Sequence, residues 1–174
     1  MRILIYLIFC ITFISCQTET KPFLNFNQID YYSVSISEDE QLNYRLKENK
    51  SNVEKNFFEI LDGNVPINLK NDSLINTIES TNYFKHIEVN GNLNEDFLNC
   101  FFTHSNSKAS FISISSICVH IYRDILIFRK NSKIVGVALV CFSCDAVKYY
   151  SQNGYQQIQV DFQKLEVILN SLKN

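Results

Sequence analysis

Ile125-Leu126-Ile127-Phe128, Arg129-Lys130-Asn131-Ser132-Lys133 and Ile134-Val135-Gly136-Val137-Ala138-Leu139-Val140 follow one another without interruption, two apolar runs around a polar turn. Short β-branched and aliphatic runs on either side of a polar break have the pattern of a β-hairpin. Asn131-Ser132 is a weaker turn pair than Asn-Gly, yet Asn tolerates the positive φ that a two-residue hairpin loop needs. The second run is apolar on both faces, so its strand is expected in the centre of a sheet with helices covering at least one face.

On the C-terminal side, Phe162, Leu165, Ile168, Leu169 and Leu172 recur at helical spacing, with Asp161 as the N-cap. On the N-terminal side, Tyr31, Tyr32, Val34 and Ile36 mark residues 29–36 as a strand. Ser37 with Glu40 and Ser51 with Glu54 have the hydroxyl and carboxylate three apart that satisfy free N–H groups at a helix start. The second box introduces Val53, Phe57, Phe58, Ile60 and Leu61, and that helix is expected to close at Gly63. Weaker helical signals follow Asp72 and Asn94, the latter bringing Phe97, Leu98, Phe101 and Phe102 onto one side. These elements imply an α+β fold: a small antiparallel sheet with a central hairpin, packed by helices that include a C-terminal amphipathic one.

Residues 3–14 form a short apolar segment behind Arg2, ending in Phe13-Ile14-Ser15-Cys16. The length suits a signal-peptide core; a membrane span needs about 20 apolar residues. A small residue before cysteine is what the lipoprotein signal peptidase accepts, so Cys16 is expected to become the acylated first residue of the mature chain. Acyl chains on one cysteine hold a protein on a membrane without a spanning helix. Gln17 stands where an inner-membrane retention signal would carry Asp, which points to the outer membrane. The expected organisation is signal peptide 1–15, lipidated cysteine and tether 16–27 containing Pro22, and one globular domain 28–174.

The hydrophobic content of 46% with 13% aromatic residues is enough for a core, and a formal charge of −2 offers no phosphate-neutralising stripe. Nucleic acid is therefore excluded as a partner. No Gly-rich phosphate loop, nucleophile elbow, zinc-protease helix or calcium loop occurs, and His86, His104 and His120 are scattered. The polar run from Thr103 through Ser110 reads as a loop.

With Cys10 in the signal and Cys16 lipidated, the domain keeps Cys100, Cys118, Cys141 and Cys144. A two-residue loop pairs Arg129 with Ile134 and, counted outward, sets Val119 opposite Cys144. A three-residue loop sets Cys118 opposite Cys144. Either register brings Cys118 to Cys141-Phe142-Ser143-Cys144, and the first brings His120 near Ser143. Three chemistries fit. A disulfide from Cys118 to Cys144, or one using Cys141, suits an oxidising envelope. Cys118, His120, Cys141 and Cys144 would make a Cys₃His zinc set. A redox-active C-x-x-C is the third, although both prolines, Pro22 and Pro66, precede the motif.

The order of Cys118, apolar strand, Lys-Asn-Ser-Lys turn, apolar strand and Val140-Cys141-Phe142-Ser143-Cys144 resembles a family of uncharacterised small lipoproteins of Bacteroidota. In that family the hairpin begins near a cysteine followed by Pro-Arg and ends in Ile-Cys-Phe-x-Cys. This chain has Ile121-Tyr122 where Pro-Arg would stand. The resemblance covers residues 117–145 and the closing helix, implies the hairpin with grouped cysteines, and carries no mechanism.

The expected function is that of a membrane-anchored envelope module that binds an envelope protein, with no catalysis and no cofactor. The alternatives are a metal- or thiol-dependent enzyme built on the cysteine cluster with His120, and an immunity or inhibitor lipoprotein.

Overall fold

The computed structural model of the chain describes residues 24–64, 69, 72–89, 91–103 and 118–173. The expected signal peptide, Cys16, the expected tether up to residue 23 and residues 104–110 of the polar loop lie outside the described residues.

The hairpin forms as β4 (Asp124–Lys130) and β5 (Lys133–Cys141), with Arg129 opposite Ile134. Asn131 and Ser132 both take positive φ, 50° and 65°. Neither is glycine, so the turn needs outside support. Asn27 supplies it: its Oδ1 accepts from the Asn131 N–H at 3.1 Å, while its Nδ2 donates to Asn131 Oδ1 at 3.3 Å. Arg129 Nη1 also donates to the Ser132 carbonyl at 2.9 Å.

β5 is central, as its two apolar faces require. β1 (Gln28–Val34), β2 (Phe84–Glu88), β6 (Ala146–Ser151) and β7 (Gly154–Gln156) complete an antiparallel sheet ordered β2-β1-β4-β5-β6-β7. β3 (Phe101–Thr103) and β8 (Ile158–Val160) form a separate pair. Ile125, Ile127, Val137 and Leu139 face one side, against α2 (Asn52–Leu61) and α3 (Ser73–Thr81). Leu126, Phe128, Ala138 and Val140 face the other, against α5 (Phe162–Lys173), whose Leu165 and Leu169 are fully buried. Period-two alternation of an all-apolar strand thus feeds two cores at once. The α+β class read from the sequence is the class of the fold.

Both capping boxes form, at the starts of α1 (Glu38–Leu46) and α2. Asp161 caps α5 through Lys164 N–H at 3.0 Å. α2 ends at Leu61, and Gly63 follows with φ 67°. A Cβ there would stand 2.8 Å from Lys148 Nζ and from the Tyr122 ring, so both the backbone and the neighbours require glycine.

The helix signalled after Asp72 forms as α3, and the Asp72 carboxylate accepts from Arg129 Nη2 at 3.2 Å rather than capping it. Three expectations are corrected. Val53 is exposed, and Glu54 takes the buried position, its carboxylate held by Lys47 Nζ at 2.8 Å and Ser51 N–H at 2.6 Å. The helix after Asn94 is only α4 (Asn94–Leu98); Phe101 and Phe102 turn into β3, where pairing with β8 competes with helix continuation. The folded unit also begins before residue 28, since Leu24 and Phe26 are buried in the α5-side core.

Candidate binding groove beside the disulfide

β5 does not run straight past Cys141. Cys141 pairs with Ala146, so Phe142-Ser143-Cys144-Asp145 is the loop of the β5–β6 hairpin. It is wound as a 3₁₀ turn over Phe142–Cys144 and closed by Asp145 in the left-handed region, φ 45°. On the opposite side, the chain before Asp124 has left the ladder. Tyr122 N–H donates to the Leu61 carbonyl at 2.8 Å, which draws residues 118–123 toward the end of α2. These two departures bring Cys118 and Cys144 to a Cα separation of 6.1 Å, and a disulfide joins them.

The pairing was within reach of sequence reasoning; the register was not. A bulge between Phe128 and Arg129 sets Phe128 opposite Gly136 and Asp124 opposite Val140, so further counting would put Cys118 opposite Ala146. The 3₁₀ turn and the diverging segment, not a ladder register, make the contact.

Cys141 is buried and outside the bond, its Sγ 3.3 Å from Ser143 Oγ. Cys100 is also free and buried; burial pushes its thiol up to about 11, and it donates to the Asp96 carbonyl at 3.2 Å. His120 stacks on Tyr122, ring centroids 6.2 Å apart. With Cys118 and Cys144 bonded to each other, the Cys118, His120, Cys141 and Cys144 set lacks two of its thiolates in this form. No group of three or more His, Cys, Asp or Glu among the described residues is arranged to hold a metal ion. Among those residues, too, no helix is long and apolar enough to cross a membrane.

Next to the disulfide lies a groove of about 770 Å³, a size usual for a ligand site. His120, Tyr122, Val147, Ile158, Val160 and Phe162 are among its walls. Burial, first of all, pushes the Tyr122 phenol up to about 12, so it is neutral at physiological pH. Lys148 donates to the Gly63 carbonyl at 3.1 Å and lies 5.2 Å over the Tyr122 ring. Its charge is thereby tied to the end of α2, where the helix dipole favours a cation. Asp145 and Asp161 sit at the rim, both exposed. The alternation in Gln157-Ile158-Gln159-Val160 is the one sequence signal that marks part of this wall as a strand.

Comparison of the chain with protein-family models, with curated proteins and with solved structures finds no match.

Proposed function

We propose that the chain is a lipid-anchored envelope module that acts by binding another protein and catalyses nothing itself. Anchoring rests on the apolar segment ending in Ile14-Ser15-Cys16, with Gln17 favouring the outer membrane. The similarity to small Bacteroidota lipoproteins belongs to the same proposal. Binding rests on one observation: a groove of about 770 Å³ whose approach from Cys118 and whose floor after Cys144 are held together by a disulfide. A covalent link at that position keeps the site formed without a ligand, and preorganisation of this kind raises affinity by lowering the ordering cost of binding.

The test pairs fractionation with crosslinking in cells. Cys16→Ser is expected to stop acylation and move the protein out of the membrane fraction; undiminished lipid labelling would remove the anchor from the proposal. A photoreactive residue replacing Gln157, in the groove, is expected to give a discrete adduct with an envelope protein. The same residue replacing Glu166, exposed on α5, is expected to give none. Equal adducts from both positions, or none from Gln157, would overturn the binding role.

A further inference from the structure

β6 and β7 begin as an ordinary hairpin, with Ser151 opposite Gly154, Tyr150 opposite Tyr155 and Tyr149 opposite Gln156. Continued in step, the ladder would set Gln157 opposite Lys148, Ile158 opposite Val147 and Gln159 opposite Ala146. It does not continue. At Gln157 the chain peels away, and Ile158–Val160 pairs on its far side with β3, Ile158 against Thr103 and Val160 against Phe101. Residues 146–148 keep β5 on one side and, among the described residues, have no strand on the other. The near edge of β8 is likewise without a strand among those residues. The groove occupies this fork.

We infer that the groove is a strand-addition site, and that its occupant is an extended peptide segment of a partner protein carrying alternating apolar and basic side chains. The inference deepens the binding role proposed above and rests on it. The edge of residues 146–148 offers main-chain donors and acceptors to a segment laid along it, the usual source of affinity in β-augmentation, while alternate side chains read the walls. Apolar side chains meet Tyr122, Val147, Ile158 and Phe162. Basic ones meet Asp145 and Asp161 at the rim, where the lysine of the wall, Lys148, is already held by the Gly63 carbonyl and the Tyr122 ring. An exposed edge is ordinarily a liability for aggregation, and recessing this one in a charged-rim cleft restricts what can add to it.

The probe is a synthetic peptide, acetyl-Val-Lys-Val-Thr-Val-Lys-Val-amide, titrated into the isotope-labelled full chain and followed by amide chemical shifts. Saturable shifts are expected at the amides of residues 146–148 and 157–160. Methylating alternate backbone nitrogens of the peptide should weaken binding about tenfold or more by removing ladder hydrogen bonds. Replacing its lysines by glutamates should weaken it several-fold. Asp145→Asn, which retains a residue tolerant of the left-handed φ, should narrow the difference between the basic and acidic peptides. Equal binding by the methylated peptide would overturn strand addition, as would shifts confined to other regions. Binding that appears only after residues 105–116 are replaced by a Gly-Ser linker would overturn the partner assignment in favour of this chain's own segment, which leaves β3 at Thr103 and returns at Cys118. A crosslink at Gln157 without any response to the peptide would leave the binding role standing and remove strand addition alone.

Discussion

Lys173, in the last turn of α5, places its ammonium 2.9 Å from the buried carboxylate of Asp124, the first residue of β4. The same carboxylate oxygen accepts from the Tyr31 hydroxyl at 2.6 Å and the Ser33 hydroxyl at 3.0 Å. Burial of the tyrosine, followed by the nearby Asp124 charge, raises the Tyr31 phenol well above its ordinary range, so it donates throughout the physiological range. The arrangement ties the C-terminal helix to the sheet through a charge that is fully supplied with donors, the condition under which a buried carboxylate is tolerated.

Removing either side of that contact should therefore have unequal effects. Lys173 is about one third exposed, so Lys173→Met should cost only about 1 kcal/mol after solvent screening. Asp124→Ala strands two buried hydroxyl donors and should cost about 2 to 4 kcal/mol. Urea denaturation of both variants measures the difference; equal losses would show that the ion pair, and not the two hydroxyl bonds from β1, carries the stability of the arrangement.

The disulfide makes a prediction about connectivity and one about stability. Non-reducing peptide mapping should show Cys118 linked to Cys144, with Cys100 and Cys141 alkylated only after unfolding, because both are buried. The bond closes a sequence separation of 26, so Cys118→Ala should lower stability by about 3 to 4 kcal/mol in the chain-entropy picture. A bond through Cys141 would contradict the geometry of the β5–β6 loop.

Glu54 carries the acid sensitivity of α2. The Lys47 ammonium, then the Ser51 backbone and hydroxyl, hold its carboxyl down to about 2, against an ordinary 4.5. A carboxyl depressed in the folded state contributes stability that is complete above the ordinary value and is lost as pH falls from about 4.5 toward 2. Glu54→Gln should flatten the melting temperature across that window. A variant as acid-sensitive as the parent would place the titrating group elsewhere.

Gly136 lies under Tyr149, and a Cβ there would run into the phenol oxygen and stand 2.9 Å from Cε2. Tyr149 is almost fully buried and cannot swing out without opening the α5-side core. Gly136→Ala should cost about 1 to 3 kcal/mol through overpacking, and adding Tyr149→Leu should recover part of the alanine-specific loss. A double-mutant cycle with no coupling between the two positions would refute the close approach.

Local features of this chain were legible because they depend on a few adjacent residues. Ser37 with Glu40, Ser51 with Glu54, Asp161 before its helix, and Arg129 against Ile134 are each decided within a handful of positions by hydrogen-bond supply and turn geometry. The apolar run after Lys133 likewise determined that β5 is central, since a strand with two apolar faces has to be covered on both. Tertiary structure decided what long-range competition controls. The bulge at Phe128/Arg129 displaced every register count toward Cys118, and only the 3₁₀ turn over Phe142–Cys144 with the diversion of Tyr122 to Leu61 restored the cysteine contact. Val53 and Glu54 exchanged their expected environments because Lys47 and Ser51 were placed to satisfy a buried carboxylate. The groove belongs to the same class: it exists because residues 158–160 pair with β3 instead of continuing along β6, a choice of a strand distant in sequence over an adjacent one that no local pattern encodes.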